Sequence, residues 1–161
     1  MCGLVSYPQG RLGLVVNKNK QRGDRAERAV RDWAARRWPG SFKTRAGFND
    51  DLGDVVAVTH GGRVALQVKD VAKPQWSEWF SQLEEQVATL RIESRGSDRV
   101  VGGAIVHKYR GRSDPGSWRA VVTLNRLVDM LNAEYLAGRE DGLKAAASSV
   151  VEEDGENCGD E

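Results

Sequence analysis

Asp54-Val-Val-Ala-Val-Thr59, His60-Gly61-Gly62 and Arg63-Val-Ala-Leu-Gln-Val-Lys69 follow one another without a break and decide the fold. Small and β-branched apolar residues fill the two outer runs, and the Gly-Gly pair between them is a hairpin signal. Side chains alternate along a strand, so Asp54 on the first run and Gln67 and Lys69 on the second share one face. With Gly61 and Gly62 as the two turn residues, Asp54 stands directly opposite Lys69, and Gln67 is its diagonal neighbour. A one-residue slip would break this arrangement.

Helical patterns flank the hairpin. From Gly23 onward Ala26, Ala29, Val30, Trp33, Ala34 and Trp38 recur at helical spacing, with Asp24 as the expected N-cap and Pro39-Gly40 as the stop. Glu27 has two readings: a capping-box partner of Asp24, or an acid close enough to the buried stripe to point inward. A short strand is expected over 41–46, then a polar loop over 47–53. After the hairpin, Pro74 opens a helix whose Trp76, Trp79, Phe80, Leu83, Val87 and Leu90 form one apolar stripe. Arg99-Val-Val-Gly-Gly-Ala-Ile-Val106 reads as a buried strand whose glycines admit a close neighbour. A further strand is expected over 118–123, and a helix over 124–136 with Leu127, Val128, Leu131 and Tyr135 as its stripe. This order predicts an α/β (α+β) fold, a central mixed β-sheet flanked by helices on both faces. Residues 1–20 are expected to form a flexible basic arm, 21–138 a single domain, and 139–161 a disordered acidic tail.

The chain has 161 residues, long enough for one domain with a real core. Its formal charge of +1 hides an uneven distribution: the first 49 residues carry eight more basic than acidic side chains, and the last ten carry six acids and no base. A basic front half suits a polyanion, because Lys and Arg that neutralise phosphates gain affinity by releasing counterions. Cys2 and Cys158 form neither a disulfide framework nor a metal-binding spacing, which favours a reducing compartment. Pro8 and Arg11 interrupt the apolar N-terminal residues, so neither a signal peptide nor a membrane span is expected. The Gly61-Gly62 and Gly102-Gly103 pairs lack the spacing of a phosphate-cradling loop.

The residues of the hairpin suit phosphodiester chemistry. Mg²⁺ takes oxygen ligands and keeps several waters, so two or three protein oxygens at a sheet edge are enough. Asp54, the Gln67 amide, the Val68 carbonyl and Glu27 are the candidate donors. Lys69 is the candidate to orient a bound water or to stabilise developing negative charge. The plainer reading makes Asp54 and Lys69 an ordinary cross-strand ion pair.

The wider pattern resembles the PD-(D/E)XK nuclease superfamily, in particular its Holliday junction resolvase-like branch from archaea and phages. Asn19-Lys-Gln-Arg-Gly23 with Ala26-Glu27 is similar to its opening motif, Asp51-Leu-Gly-Asp-Val55 to its metal-binding turn, and Leu66-Gln-Val-Lys69 to its Glu-X-Lys strand. Trp79 with Glu84-Glu85-Gln86 resembles its next helix; Val106-His-Lys108 and residues 118–131 resemble its closing strand and helix. The similarity spans roughly residues 17–132. It implies a restriction-endonuclease-like core, a homodimer, and Mg²⁺-dependent cutting of branched DNA, with Mn²⁺ as a substitute ion and no small-molecule cofactor. It also implies a cytoplasmic protein of a bacterial cell or phage-infected host, with no membrane partner. Glu27, Asp54 and Lys69 then take the catalytic and metal roles, with Gln67 where the family has a second acid. Asp51 and Glu84 are alternative acids. Lys20, Arg22, Arg25, Lys43, Arg45, Lys73, Lys108, Arg110 and Arg112 are the candidate DNA-backbone contacts. His107 is read as either a phosphate contact or a packing residue. Because an amide replaces an acid, a DNA-binding protein with weakened catalysis is the alternative, as is a nuclease for flap or linear DNA.

Overall fold

A computed structural model describes residues 17–44, 52–94, 96 and 98–153. Arg45, Asp51, residues 1–16 of the expected arm and 154–161 of the expected tail lie outside them. The element order is α1 (Lys18–Ala35), β1 (Phe42–Lys43), β2 (Val55–Thr59), β3 (Gly62–Lys69), α2 (Trp76–Glu93), β4 (Val100–His107), a 3₁₀ turn (Pro115–Ser117), β5 (Arg119–Val121) and α3 (Leu124–Glu153). The strands form one mixed sheet in the order β1-β2-β3-β4-β5. Among the described strands only the β3–β4 pair is parallel, and α2 makes the crossover between them.

The sheet is covered on both faces, as the sequence predicts. Val56, Ala65 and Ile105 pack against Trp79, Leu83, Val87 and Leu90 of α2. Val55, Ala57, Leu66, Val68 and Ala104 face the other way, onto Ala26 and Val30 of α1 and Ala133 of α3. Gly103 lets α2 settle closely, since a Cβ there would lie 2.7 Å from Leu83 Cδ1 and 2.8 Å from Val87 Cγ2.

The hairpin register differs from the expected one by two residues. Val55 pairs with Leu66 and Thr59 with Gly62, so His60 and Gly61 make the turn and Gly62 begins β3. Gly62 serves close approach instead: with φ 134° and the Arg99 carbonyl in the space a Cβ would need, no larger residue fits. The hairpin tip is also held from outside, because the Gly61 N–H donates to Glu134 Oε1 of α3 at 3.1 Å. The ladder ends at the Val55–Leu66 pair, and the Asp54 N–H still reaches the Leu66 carbonyl at 3.1 Å, so Asp54 lies beside Leu66 and not opposite Lys69. A shift of two preserves the faces, so Gln67 and Lys69 keep the α2 side.

Three other expectations change. Helix α1 begins at Lys18, inside the stretch assigned to the arm, because Asn17 Oδ1 accepts the N–H groups of Asn19 and Lys20 at 3.1 and 3.4 Å. Asp24 is thus not its cap. Helix α3 runs past Leu136 and Gly138 to Glu153, and the three alanines at 145–147 have the helix propensity to carry it across the boundary expected at 139. The expected α3 stripe faces outward: Leu127, Val128, Leu131 and Tyr135 are all exposed, while Ala133 and Met130 meet the sheet. Arg126, which reaches Glu84 of α2 at 3.1 Å, and Glu134 at the hairpin tip fix that orientation. Among the described residues no helix is long and apolar enough to cross a membrane.

Candidate functional site

Asp54 sits where β2 begins, and its backbone is fixed on both sides. Its N–H donates to the Leu66 carbonyl at 3.1 Å, and its carbonyl accepts from the Thr44 N–H at 3.2 Å. Gly53, at φ 89°, makes the turn that delivers it. Its carboxylate then reaches along the sheet edge, where Oδ2 accepts the Val68 N–H at 2.6 Å. A side chain has replaced the next backbone partner in the ladder. The N–H and C=O of one strand residue project to the same edge, so the Val68 carbonyl shares that edge with the carboxylate.

Gln67 follows on the α2 face and is 2% exposed. Its Nε2 donates to Gln82 Oε1 at 3.0 Å, and Gln82 Nε2 donates to Glu78 Oε1 at 3.1 Å. The Gln67 Oε1 is buried and has no hydrogen-bond partner among the described residues. Buried polar atoms are nearly always satisfied, so this oxygen is a candidate position for a water or an ion, as are Arg63 Nε and His107 Nδ1, which also lack a hydrogen-bond partner among the described residues. Lys69 ends the strand with its ammonium 5.6 Å from the centre of the Trp79 ring, in cation–π range. His107 pairs with Lys69 in the β3–β4 ladder and packs against Trp76 and Trp79 at ring separations of 5.6 and 6.0 Å. Its Nε2 lies 3.0 Å from the Val71 carbonyl and so donates to it, which is the packing role.

The other candidate acids among the described residues, Glu27 and Glu84, are engaged elsewhere. Glu27 Oε2 lies 2.7 Å from Lys43 Nζ, and Asp24 Oδ1 lies 3.3 Å from the same ammonium. Burial opposes the charge on Lys43, but these two carboxylates outweigh it and hold its pKa above the usual value. Glu27 is thus held on the α1 side of the sheet, while Gln67 and Lys69 face α2. Glu84 is exposed and bound to Arg126.

Asp70 ties three elements together: Oδ1 lies 3.0 Å from Arg22 of α1, and Oδ2 lies 3.0 Å from Lys108 beyond β4. Burial would raise its pKa, yet the hydrogen bonds from Lys108 and Arg22 prevail and hold it below the usual carboxylate value. Arg22 and Lys108 therefore meet a carboxylate within the fold, as Lys43 does. Lys20, Arg25, Lys73, Arg110 and Arg112 are exposed. Because Asp70 joins Arg22 to Lys108, the basic start of α1 and the loop after β4 meet at the end of the sheet where Lys69 lies.

By chemical type the donors here suit a hard divalent ion. The Asp54 carboxylate, the Val68 carbonyl and the orphaned Gln67 oxygen are all oxygen donors, and Mg²⁺ accepts such partial sets with water completing them. It is a site with a single carboxylate: among the described residues no group of three or more His, Cys, Asp or Glu side chains is placed to hold a metal. An apolar cavity of about 510 Å³ lies on the opposite face, among Val30, Trp33, Trp38, Leu66, Trp118 and Met130. It does not adjoin Gln67 or Lys69. Glu78 and Gln82 were missed in the sequence; their i,i+4 spacing on α2 predicts that they bond each other, but nothing in it indicates contact with Gln67. No protein-family model, no curated protein and no solved structure matches this chain.

Proposed function

We propose that the chain is a Mg²⁺-dependent, structure-selective DNA endonuclease of the PD-(D/E)XK, Holliday junction resolvase-like type. The observation that carries this reading is the Asp54 carboxylate pinned to the N–H of Val68, whose chain neighbours are Lys69 and Gln67, the latter with a buried oxygen that has no partner among the described residues. Asp54, Gln67 and Val68 would hold a divalent ion, which would supply Lewis-acid chemistry to a bound phosphate and water. Asp54 provides the negative charge that attracts the ion, and Gln67 and Val68 add neutral oxygens. Lys69 has a compact, strongly hydrated charge, suited to orienting the attacking water or to stabilising charge as it builds on the phosphate. Exposed Lys20, Arg25, Lys73, Arg110 and Arg112 hold the DNA backbone, leaving base sequence largely unread. The exposed apolar side of α3, with Leu127, Val128, Leu131 and Tyr135, is the surface we assign to a second copy of the chain.

The test is cleavage of a labelled four-way junction, a flap and a linear duplex, each with Mg²⁺ or Mn²⁺. Wild type is expected to cut the junction best, and Asp54→Ala and Lys69→Ala to lose that activity. Equal cutting by the variants, or none by wild type, rejects the reading.

A second reading, a DNA-binding protein with weakened catalysis, is favoured by the single carboxylate that the described residues bring to the site. It expects junction binding that falls steeply with salt and ignores divalent ions, and a large gain in cleavage from Gln67→Glu.

A further inference from the structure

An amide presents either its oxygen or its nitrogen to a neighbour with almost no change in shape, so whether Gln67 can hold a cation depends on what fixes its orientation. The chain of contacts on α2 answers this. Ionised Glu78 has only acceptors, so it takes the Nε2 of Gln82 at 3.1 Å. Gln82 must then turn its oxygen towards the sheet, where it accepts from Gln67 Nε2 at 3.0 Å. The nitrogen of Gln67 is thereby committed to α2, and its Oε1 is the atom left buried without a partner among the described residues. The direction of every bond follows from one carboxylate on an exposed turn of a helix.

We propose that Glu78 and Gln82 are positioning residues that hold the Gln67 amide with its oxygen available as a divalent-cation ligand, so that a neutral side chain serves in place of a carboxylate. The inference rests on the metal-site reading above and deepens it. The relay also polarises the amide: donation through Nε2 towards a charged terminus makes Oε1 a better electron donor, as in any hydrogen-bonded chain. A carboxylate at position 67 has two equivalent oxygens and needs no such orientation. It would instead face the oxygen of Gln82. The relay therefore suits an amide at this position and not a carboxylate, which is why positions 67 and 82 should be coupled.

The experiment is Mn²⁺ binding to the full chain, followed by electron paramagnetic resonance and calorimetry without DNA, with circular dichroism as the fold control. Asp54→Ala reports the background. Gln82→Leu is expected to weaken Asp54-dependent binding by about tenfold. Glu78→Gln, which keeps a hydrogen bond but lets the relay run in either direction, is expected to weaken it by a smaller factor. In a Gln67→Glu background both changes should leave affinity unaltered or improve it, a reversal that a merely structural contact would not produce. Should Gln82→Leu fail to fold, the exposed Glu78→Gln substitution decides. Wild-type binding that depends on Asp54 but ignores both α2 substitutions overturns the relay and leaves the metal site standing. No Asp54-dependent binding in either wild type or Gln67→Glu overturns the metal site and the relay with it.

Discussion

On the α1/α3 side of the sheet the interior is apolar, and the rim acids Glu27 and Asp24 meet Lys43; on the α2 side a buried amide oxygen has no partner among the described residues. The comparison separates two uses of polar groups. Pairing Lys43 with Glu27 and Asp24 offsets the cost of half-burying its charge, and the result is cohesion between α1 and β1. Leaving Gln67 Oε1 unsatisfied brings no such gain in the folded chain alone, and a cost of about 1–3 kcal/mol is typical of an unmet buried polar group. Such a cost is expected where a ligand is to supply the missing contact.

The largest effect that tests this contrast is at Asp54, which has both a structural bond and a proposed chemical role. Asp54→Asn keeps an oxygen that can accept from Val68, so stability measured by urea unfolding should fall by under about 1 kcal/mol. Cleavage should nevertheless drop by about 100-fold or more, because charge at the ion is lost. Asp54→Ala should lose both, with about 1–3 kcal/mol of stability following the orphaned Val68 N–H. If Asn and Ala behave alike in both measurements, the two roles are not separable at this residue.

Glu27 is the next test, since it carries the family resemblance but lies against Lys43. Glu27→Gln is expected to cost about 1 kcal/mol or less of stability, the range of a partly exposed ion pair. Junction cleavage should fall by less than about tenfold, as suits a group that does not touch the reacting phosphate. A loss as deep as that of Asp54→Asn would return Glu27 to the metal site and erase the distinction between the faces.

The smallest effect is in the pH dependence of stability. Asp70 has a folded-state pKa below its ordinary 3.8, so its contribution is complete above that value and is lost as pH falls through the folded-state pKa. Lys43 acts at the opposite limb: its folded-state pKa lies above 10.5, and its contribution fades as pH rises beyond that. Asp70→Asn should flatten the acid limb of stability below about pH 4 without changing the alkaline limb. An unchanged acid limb would mean that Arg22 and Lys108 do not hold Asp70 in solution.

The strand and helix pattern was legible because period-two and helical spacings record burial directly. Trp79, Leu83, Val87 and Leu90 all lie where their spacing places them, against the sheet. The register was not legible, since a Gly-Gly pair reads as a turn, while the need for Gly62 comes from the Arg99 carbonyl, far along the chain. The α3 stripe misled for a related reason: apolar spacing defines a face but not its partner, and Arg126 and Glu134 orient the helix the other way. Asp54, Gln67 and Lys69 could be named as candidates from sequence because they lie on one local hairpin. The connections of Gln67 to Gln82 and of Arg22 to Asp70 depend on how separate helices are rotated against the sheet, which one-dimensional spacing does not encode.

The most direct test is a crystal structure of the chain grown with Mn²⁺ and measured for anomalous scattering. The expected result is a peak bounded by an Asp54 carboxylate oxygen, Gln67 Oε1 and the Val68 carbonyl, with the Gln67 nitrogen still on Gln82. An empty site at saturating Mn²⁺, or a peak held instead beside Glu27 with Lys43 displaced, would contradict it.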